Sequence, residues 1–223
     1  MIILHHLNNS RSQRIIWLLE ELGMPYQVQR HERDAQTMLA PDSLKAVHPL
    51  GKSPVIVDGE VTIAESGAII EYLVNKDPER RLVPEAGTAA QRDYTFWLHY
   101  GEGSLMPPMV MRLVFEKIRT SPMPFFARPI AKGIVAKTYK MFLGPMLRTH
   151  LGFVEQHLAK QDWMAGGQMT GADIQMSFPL EASVARGMVD GQQYPQICAY
   201  VKRFQALPAY QRALAAGGEY DFA

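Results

Sequence analysis

Three short stretches near the start of the chain carry residue types that could do chemistry. The first is Asn8-Asn9-Ser10-Arg11-Ser12, a polar turn between the apolar run Ile2-Ile3-Leu4 and an amphipathic segment beginning at Ser12. Hydroxyl and amide donors at a helix N-terminus suit stabilisation of an anion, a thiolate included. Plain capping of the helix by Ser10 or Ser12 accounts for the same residues. The second stretch is Gly51-Lys52-Ser53-Pro54-Val55. A proline at the entrance of a strand has no N–H for the ladder and belongs at an edge or in a special turn. If the Ser53–Pro54 bond is cis, the turn offers the Ser53 main chain to an extended peptide as an added strand; if trans, Pro54 simply opens an edge strand. The third is Ala64-Glu65-Ser66-Gly67-Ala68, at a strand-to-helix junction. There the orphan N–H groups could take a carboxylate and Glu65 an ammonium, together holding an α-amino acid head group. Simple capping by Ser66 is the competing account.

The other conspicuous side chains point to packing. His5 and His6 are adjacent in a strand, face opposite ways and cannot chelate one ion together. His150 and His157 could share a helix face, but no carboxylate or cysteine partner is evident, so no metal site is expected. Cys198 lies in an apolar helical stretch with Ile197 and Val201 and is expected to be buried and inert. Lys202-Arg203 reads as a solvated helix face.

The elements that must position these residues change character near residue 80. Before it, β-like runs alternate with amphipathic ones. Ile15, Leu18, Leu19 and Leu22 share one stripe of a helix over 12–22, with Gly23 at the stop. Tyr26-Gln27-Val28-Gln29 alternates as a strand, and Ala40 to Lys45 begins a short helix ending before Pro49. Val55-Ile56-Val57 and Val61-Thr62-Ile63 flank Asp58-Gly59-Glu60, a strong hairpin signal, and a helix over 65–75 comes next. The order βαβ, hairpin, helix predicts a small α/β layer with a mixed sheet.

Residues 77–84 form a polar, proline-bounded connector. Beyond it the periodicity is helical: long helices over 88–119 and 127–160, the second bent near Gly144-Pro145, then shorter ones over 172–188, 195–206 and 208–216. Thr170 and Asp173, flanked by Met169 and Ile174, have the spacing of a capping box, a folding element worth about 1–2 kcal/mol. The expected division is an α/β domain over 1–79, a linker over 80–87 and an all-helical domain over 88–223.

Composition narrows the function. The chain has 223 residues, 47% of them hydrophobic and 20% charged, as in an ordinary folded globule. Lys plus Arg total 23 against 22 Asp plus Glu, so bulk charge gives no support to nucleic-acid binding. A single cysteine excludes an intramolecular disulfide and a thiolate metal cluster. With no leader-like N-terminus and no long apolar run, the expected location is the cytoplasm, away from membranes.

Taken together, the chain resembles the cytosolic glutathione S-transferases over essentially its whole length. The resemblance rests on an ordered set: the Ser/Asn-containing turn after the first strand, then His48-Pro49-Leu50-Gly51-Lys52-Ser53-Pro54-Val55, then Glu65-Ser66-Gly67-Ala68-Ile69, and later the Thr170–Asp173 cap. Within the family it looks most like a bacterial and fungal branch, on His5, Leu7, Ser10 and Arg11 near the start and Glu102-Gly103-Ser104-Leu105-Met106-Pro107-Pro108 after a Tyr/Trp-rich helix.

The resemblance implies a thioredoxin-like N-terminal domain followed by an all-helical domain, and glutathione as co-substrate with no metal. It implies that Pro54 is cis, with Ser53 offering its main chain to the cysteinyl part of glutathione. Glu65 and Ser66 would take the γ-glutamyl end and Lys52 the glycyl carboxylate. Family members activate the thiol with Tyr, Ser or Cys near the first turn. Here strand one reads Leu4, His5, His6, Leu7, without tyrosine, and the N-terminal half has no cysteine. That leaves Ser10 as the first candidate for the thiolate donor, with Asn9 and Arg11 as competitors. A free thiol of pKa about 8.5 is roughly 3% ionised at pH 7. A hydrogen bond to its charged form, worth about 1.5–3 kcal/mol, would lower that pKa by roughly one to two units.

Tyr100, Ser104, Met106 and Met109 are the candidate lining of a pocket for a small hydrophobic electrophile between the two halves, although methionines at helical spacing also suit a core. A homodimer is implied, the N-terminal layer of one subunit against the helical half of the other. Two other functions fit the same residues: glutathione-dependent disulfide or peroxide reduction, and a non-catalytic binding module.

Overall fold

The computed structural model describes residues 1–34, 37 and 39–223. Its first layer runs β1 (Ile2–Leu7), α1 (Ser12–Leu22), β2 (Tyr26–His31), α2 (Asp42–Val47), β3 (Val55–Asp58), β4 (Val61–Ala64) and α3 (Ser66–Lys76). The strands form one sheet in the order β2-β1-β3-β4. β1 and β2 are parallel, and β3 pairs antiparallel with both β1 and β4. This is the thioredoxin-like mixed sheet the sequence implied, with the Asp58-Gly59 hairpin at its edge.

The second layer is helical: α4 (Ala89–Tyr100), α5 (Met106–Thr120), α6 (Ala127–Thr138), α7 (Gly144–Leu158), α8 (Gly171–Ala185), α9 (Pro195–Gln205) and α10 (Pro208–Gly217). The two long helices expected over 88–119 and 127–160 are each interrupted by a wide π turn, at Gly101–Leu105 and Tyr139–Leu143. Both turns precede a restart bearing proline, Pro107-Pro108 in α5 and Pro145 in α7. Proline has no N–H to continue the ladder and its ring crowds the carbonyl one turn back, so an extra residue in the turn relieves both problems.

α1 is the central element. Its expected stripe is buried, and so are Ile16 and Trp17 on the other side. One side of α1 meets the sheet, while α8 and α10 cover the other. Trp17 stacks on Phe204 with ring centroids 5.3 Å apart and meets Tyr210 edge-on at 5.4 Å. Gly23 closes the helix with φ of 62°, a left-handed stop. At the start of α8, Thr170 and Asp173 form the expected capping box. Asp173 is fully buried and also accepts from Met164 N–H (2.8 Å) and the Tyr200 hydroxyl (2.8 Å). The cap therefore ties α8 to α9 and to the preceding loop. Among the described residues no helix is long and apolar enough to cross a membrane.

Candidate active site

Strand register brings the three chemical stretches together. His5 on β1 faces Val55 on β3, and Val55 faces Ala64 on β4. β1 leaves the sheet at this end, β3 enters here and β4 leaves here, so Asn8–Ser12, Ser53–Pro54 and Glu65–Ser66 all lie just beyond one row of the sheet. The Ser53–Pro54 peptide bond is cis. The Ser53 hydroxyl donates to the main-chain oxygen of His5 at 2.9 Å, fastening this turn to β1. Glu65 precedes α3 with φ of 74°, a left-handed conformation that costs a non-glycine residue energy, and its side chain is exposed. Ser66 is buried in the first turn of α3, and Lys52 is exposed beside Ser53.

The first turn is built on a buried polar network. Ser10 and Ser12 are both buried, and their hydroxyl oxygens are 2.7 Å apart. Ser12 N–H donates to Ser10 Oγ at 3.2 Å, so Ser10 does serve the start of α1. Ser12 Oγ is also 2.9 Å from His6 Nδ1 and accepts from Leu7 N–H at 3.3 Å. Burial, and secondarily the charge of Arg30, pushes the His6 pKa down to about 4, so the ring is neutral at pH 7. Its tautomer decides where the hydroxyl protons go. With the proton on Nδ1, Ser12 accepts from His6; when it then gives its own proton to Ser10, the Ser10 proton is free to point at a ligand, and when it gives it to Leu7 O, Ser10 donates to Ser12. With the proton on Nε2, Ser12 donates to His6 and Ser10 donates to Ser12.

The neighbouring cations are tied to one carboxylate. Arg11 Nε donates to both oxygens of Glu102, at 2.8 and 2.9 Å, and Arg14 Nη2 donates to the same carboxylate at 2.5 Å. Arg14 is buried, with Nη1 on the main-chain oxygen of Gln175 at 2.5 Å. Burial alone would raise the Glu102 pKa, but Arg14 and Arg11 outweigh it and hold the carboxyl below its usual value. Glu102 sits in the first π turn, where Gly101 passes so close to α8 that a Cβ would lie 3.3 Å from Gln175 Cγ. The π turn is thus what aims Glu102 at α1.

A cleft of about 490 Å³ opens between the two layers, with Asn9, Arg11, Met106, Met109 and Phe178 among its walls. Of the four expected lining residues, Met106 and Met109 face it. Tyr100 is placed elsewhere, buried among Phe96, Trp97 and Phe153 with its hydroxyl 2.6 Å from His150 Nδ1. Ser104 is half-buried in the π turn and is not among the cleft's walls.

The C-terminal tail closes one side of the cleft, a feature without a signal in the sequence. Asn9 Nδ2 donates to Asp221 Oδ2 (2.7 Å), and Asp221 N–H donates to Asn9 Oδ1 (2.9 Å). Phe222 packs edge-on against Phe178 at 5.7 Å. The Tyr220 hydroxyl donates to Glu181 Oε2 at 3.0 Å. Elsewhere, His5 Nδ1 lies 3.0 Å from His31 Nε2, and His157 packs on the Trp97 ring at 4.7 Å. Among the described residues no three metal-ligating side chains cluster. Cys198 is half-buried rather than enclosed, and burial pushes its thiol pKa up. Arg203, read from sequence as simply solvated, pairs with Asp162 at 2.8 Å.

A thioredoxin-like layer with a cis-proline at the sheet end, joined to a helical layer across a cleft, defines the class. Residues 10–76 match the glutathione S-transferase N-terminal domain, and residues 125–208 match the glutathione S-transferase C-terminal domain. Over 210 residues the chain is 37% identical to glutathione S-transferase 3 of Schizosaccharomyces pombe, covering 94% of this chain and 85% of that one. It is 32% identical over 232 residues to glutathione S-transferase 1 of Saccharomyces cerevisiae, covering 99% and 98%. Among solved structures, a glutathione S-transferase from Actinobacillus pleuropneumoniae superposes with a TM-score of 0.80 at 34% identity, covering 96% of this chain and 92% of that one. The chain belongs to the glutathione S-transferase family, enzymes for which glutathione is the co-substrate.

Proposed function

We propose that this protein binds glutathione at the end of its sheet, stabilises the thiolate at the first turn and transfers it to a small electrophile held in the cleft. The observation that carries the reading is the convergence, by strand register, of Asn8–Ser12, cis-Pro54 and Glu65–Ser66 at one end of the sheet, with Asn9 and Arg11 of the first stretch also lining the cleft. In this reading the Ser53 main chain pairs with the cysteinyl residue of glutathione. Glu65 and Ser66 take the γ-glutamyl end and Lys52 the glycyl carboxylate. Ser10 donates to the thiolate, flanked by Asn9 and Arg11. Met106, Met109 and Phe178 supply the apolar floor under the electrophile.

The reaction needs little else. The thiol proton leaves to solvent, the sulfur forms a bond to the electrophilic carbon, and that carbon expels its leaving group with the bonding pair. Titration with glutathione by calorimetry at pH 7, with thiolate absorbance followed across pH, tests the reading. Binding with a thiol pKa below about 8.5 is the expected result. No binding at millimolar glutathione overturns it. Turnover of mixed disulfides without turnover of aryl halides would instead make the protein a glutathione-dependent reductase.

Homodimerisation and a cytoplasmic location belong to the same proposal. In support of a dimer, α5 and α6 expose Val114, Ile118, Ile130 and Ile134 to solvent, more apolar surface than a lone helical hairpin needs. Sedimentation of a monomer alone would overturn the dimer.

A further inference from the structure

Beyond the first turn, the cleft is more basic than a purely apolar substrate would need. It continues into a second cleft of about 410 Å³, the two sharing Met109, Leu113 and Arg186. Five arginines line the pair, Arg11, Arg33, Arg112, Arg119 and Arg186, against two carboxylates, Glu116 and Asp221. Arg11 is neutralised by Glu102 and Arg119 by Glu116. Arg112 and Arg186 form no ion pair among the described residues.

Arg186 directly follows α8, where the helix dipole favours one cation, and its guanidinium lies 5.0 Å over the Phe222 ring. That accounts for Arg186 alone. Arg112 comes from α5, and its charge adds to burial in pushing the Arg186 pKa down. Arg112 is half-buried and Arg186 exposed at the mouth of this second cleft. Its one carboxylate, Glu116, is paired with Arg119 and also feels the charge of Arg112. Three arginines against one carboxylate leave the cleft positive, a charge that a bound anion would offset. Met109 and Leu113 form the apolar stretch leading from these arginines back to Asn9 and Arg11.

We propose that the electrophile carries a carboxylate, which Arg112 and Arg186 bind, while its reactive carbon lies at the Asn9–Arg11 end. The inference rests on the transferase reading above and narrows it from any apolar electrophile to an amphipathic acid. Bidentate geometry makes guanidinium the cation suited to a carboxylate.

A matched pair of substrates tests it: 4-chloro-3,5-dinitrobenzoate and its methyl ester. In each, the glutathione sulfur bonds to the chlorine-bearing carbon, chloride departs with the electron pair of the C–Cl bond, and the thiol proton goes to the buffer. The readout is the ratio of kcat/KM for acid over ester, each divided by its uncatalysed rate. The expected ratio is about ten or more in the native enzyme. It should fall about tenfold in Arg186→Met and in Arg112→Met, through KM for the acid, and should fall with added salt. A ratio of one or less, or a ratio that neither substitution changes, overturns the proposal.

Calorimetry with 3,5-dinitrobenzoate, which has no leaving group, separates this failure from failure of the transferase reading. Binding that both substitutions weaken, with no conjugation of either chloride, would keep the anion site and discard the transferase reading. Absence of both binding and conjugation would discard both.

Discussion

Asn9 and Asp221, at opposite ends of the chain, hold each other through two reciprocal hydrogen bonds of 2.7 and 2.9 Å. Asn9 has φ of 51°, a conformation asparagine tolerates better than most residues, and it projects from the first turn into the cleft. One contact therefore joins the proposed thiol site, the electrophile cleft and the C-terminal tail. Asp221→Ala should loosen this closure while leaving the fold intact. The pair is exposed, so the cost should stay near or below about 1 kcal/mol, a fall of roughly 2–4 °C in Tm at most for a chain this size. Calorimetric melting measures the fall, and KM for the electrophile should move more than KM for glutathione.

The Ser10–Ser12–His6 network makes a prediction about the thiol. Ser10→Ala removes the hydroxyl proposed to face it and should raise the pKa of bound glutathione by about one to two units. Thiolate absorbance against pH reads this directly. An unchanged pKa in Ser10→Ala, with a raised one in Arg11→Met, would transfer the role to Arg11.

Glu102 holds two arginines, one of them buried. Glu102→Gln leaves the Arg14 guanidinium inside the protein without its counter-charge, a change that typically costs about 3–5 kcal/mol. Arg11→Ala, at the half-exposed partner, should cost much less. Urea unfolding of both variants should show that order, and equal midpoints would contradict it.

Glu181 gives a pH dependence with a defined sign. It is buried, accepts from the hydroxyls of Tyr210 and Tyr220, and burial pushes its pKa up to about 7. The folded chain then holds a proton that the unfolded chain has released, from about pH 4.5 upward. Its contribution is complete below that range and is lost as pH rises through about 7. His6 works in the opposite direction. With its pKa lowered to about 4, it adds stability that is present above about 6.5 and lost as pH falls. The clean measurement is therefore a difference: the stability of the native protein minus that of Glu181→Gln should decrease between pH 5 and pH 7. A flat difference would mean that Glu181 titrates normally.

Much of the frame was legible because its signals are local. The stripe of α1, its glycine stop, the Asp58-Gly59 hairpin and the Thr170–Asp173 cap each lie within a few consecutive residues, where sterics and hydrogen bonding act without help from the rest of the chain. The three polar stretches were visible as turns and helix starts, but their proposed roles toward glutathione rest on the resemblance to the family, and it is the strand register that brings those ends together.

The sequence by itself determined the elements of the first layer, the mixed sheet and the identity of the polar turns at one end of it, while the two π turns that divide the long helices of the second layer were not read from it. Tertiary structure decided the rest. It buried both sides of α1, because α8 and α10 cover a face whose Trp17 carries no periodic label. It turned Tyr100 into an aromatic cluster and left Met106 and Met109 at the cleft, since the π turn at Gly101–Leu105 rotates the faces of α5 relative to those of α4. It joined Glu102 to Arg11 and Arg14, and Asp221 to Asn9. These pairings link residues far apart in the chain. Charge and hydrogen bonding choose partners by proximity in space, which one-dimensional spacing does not encode.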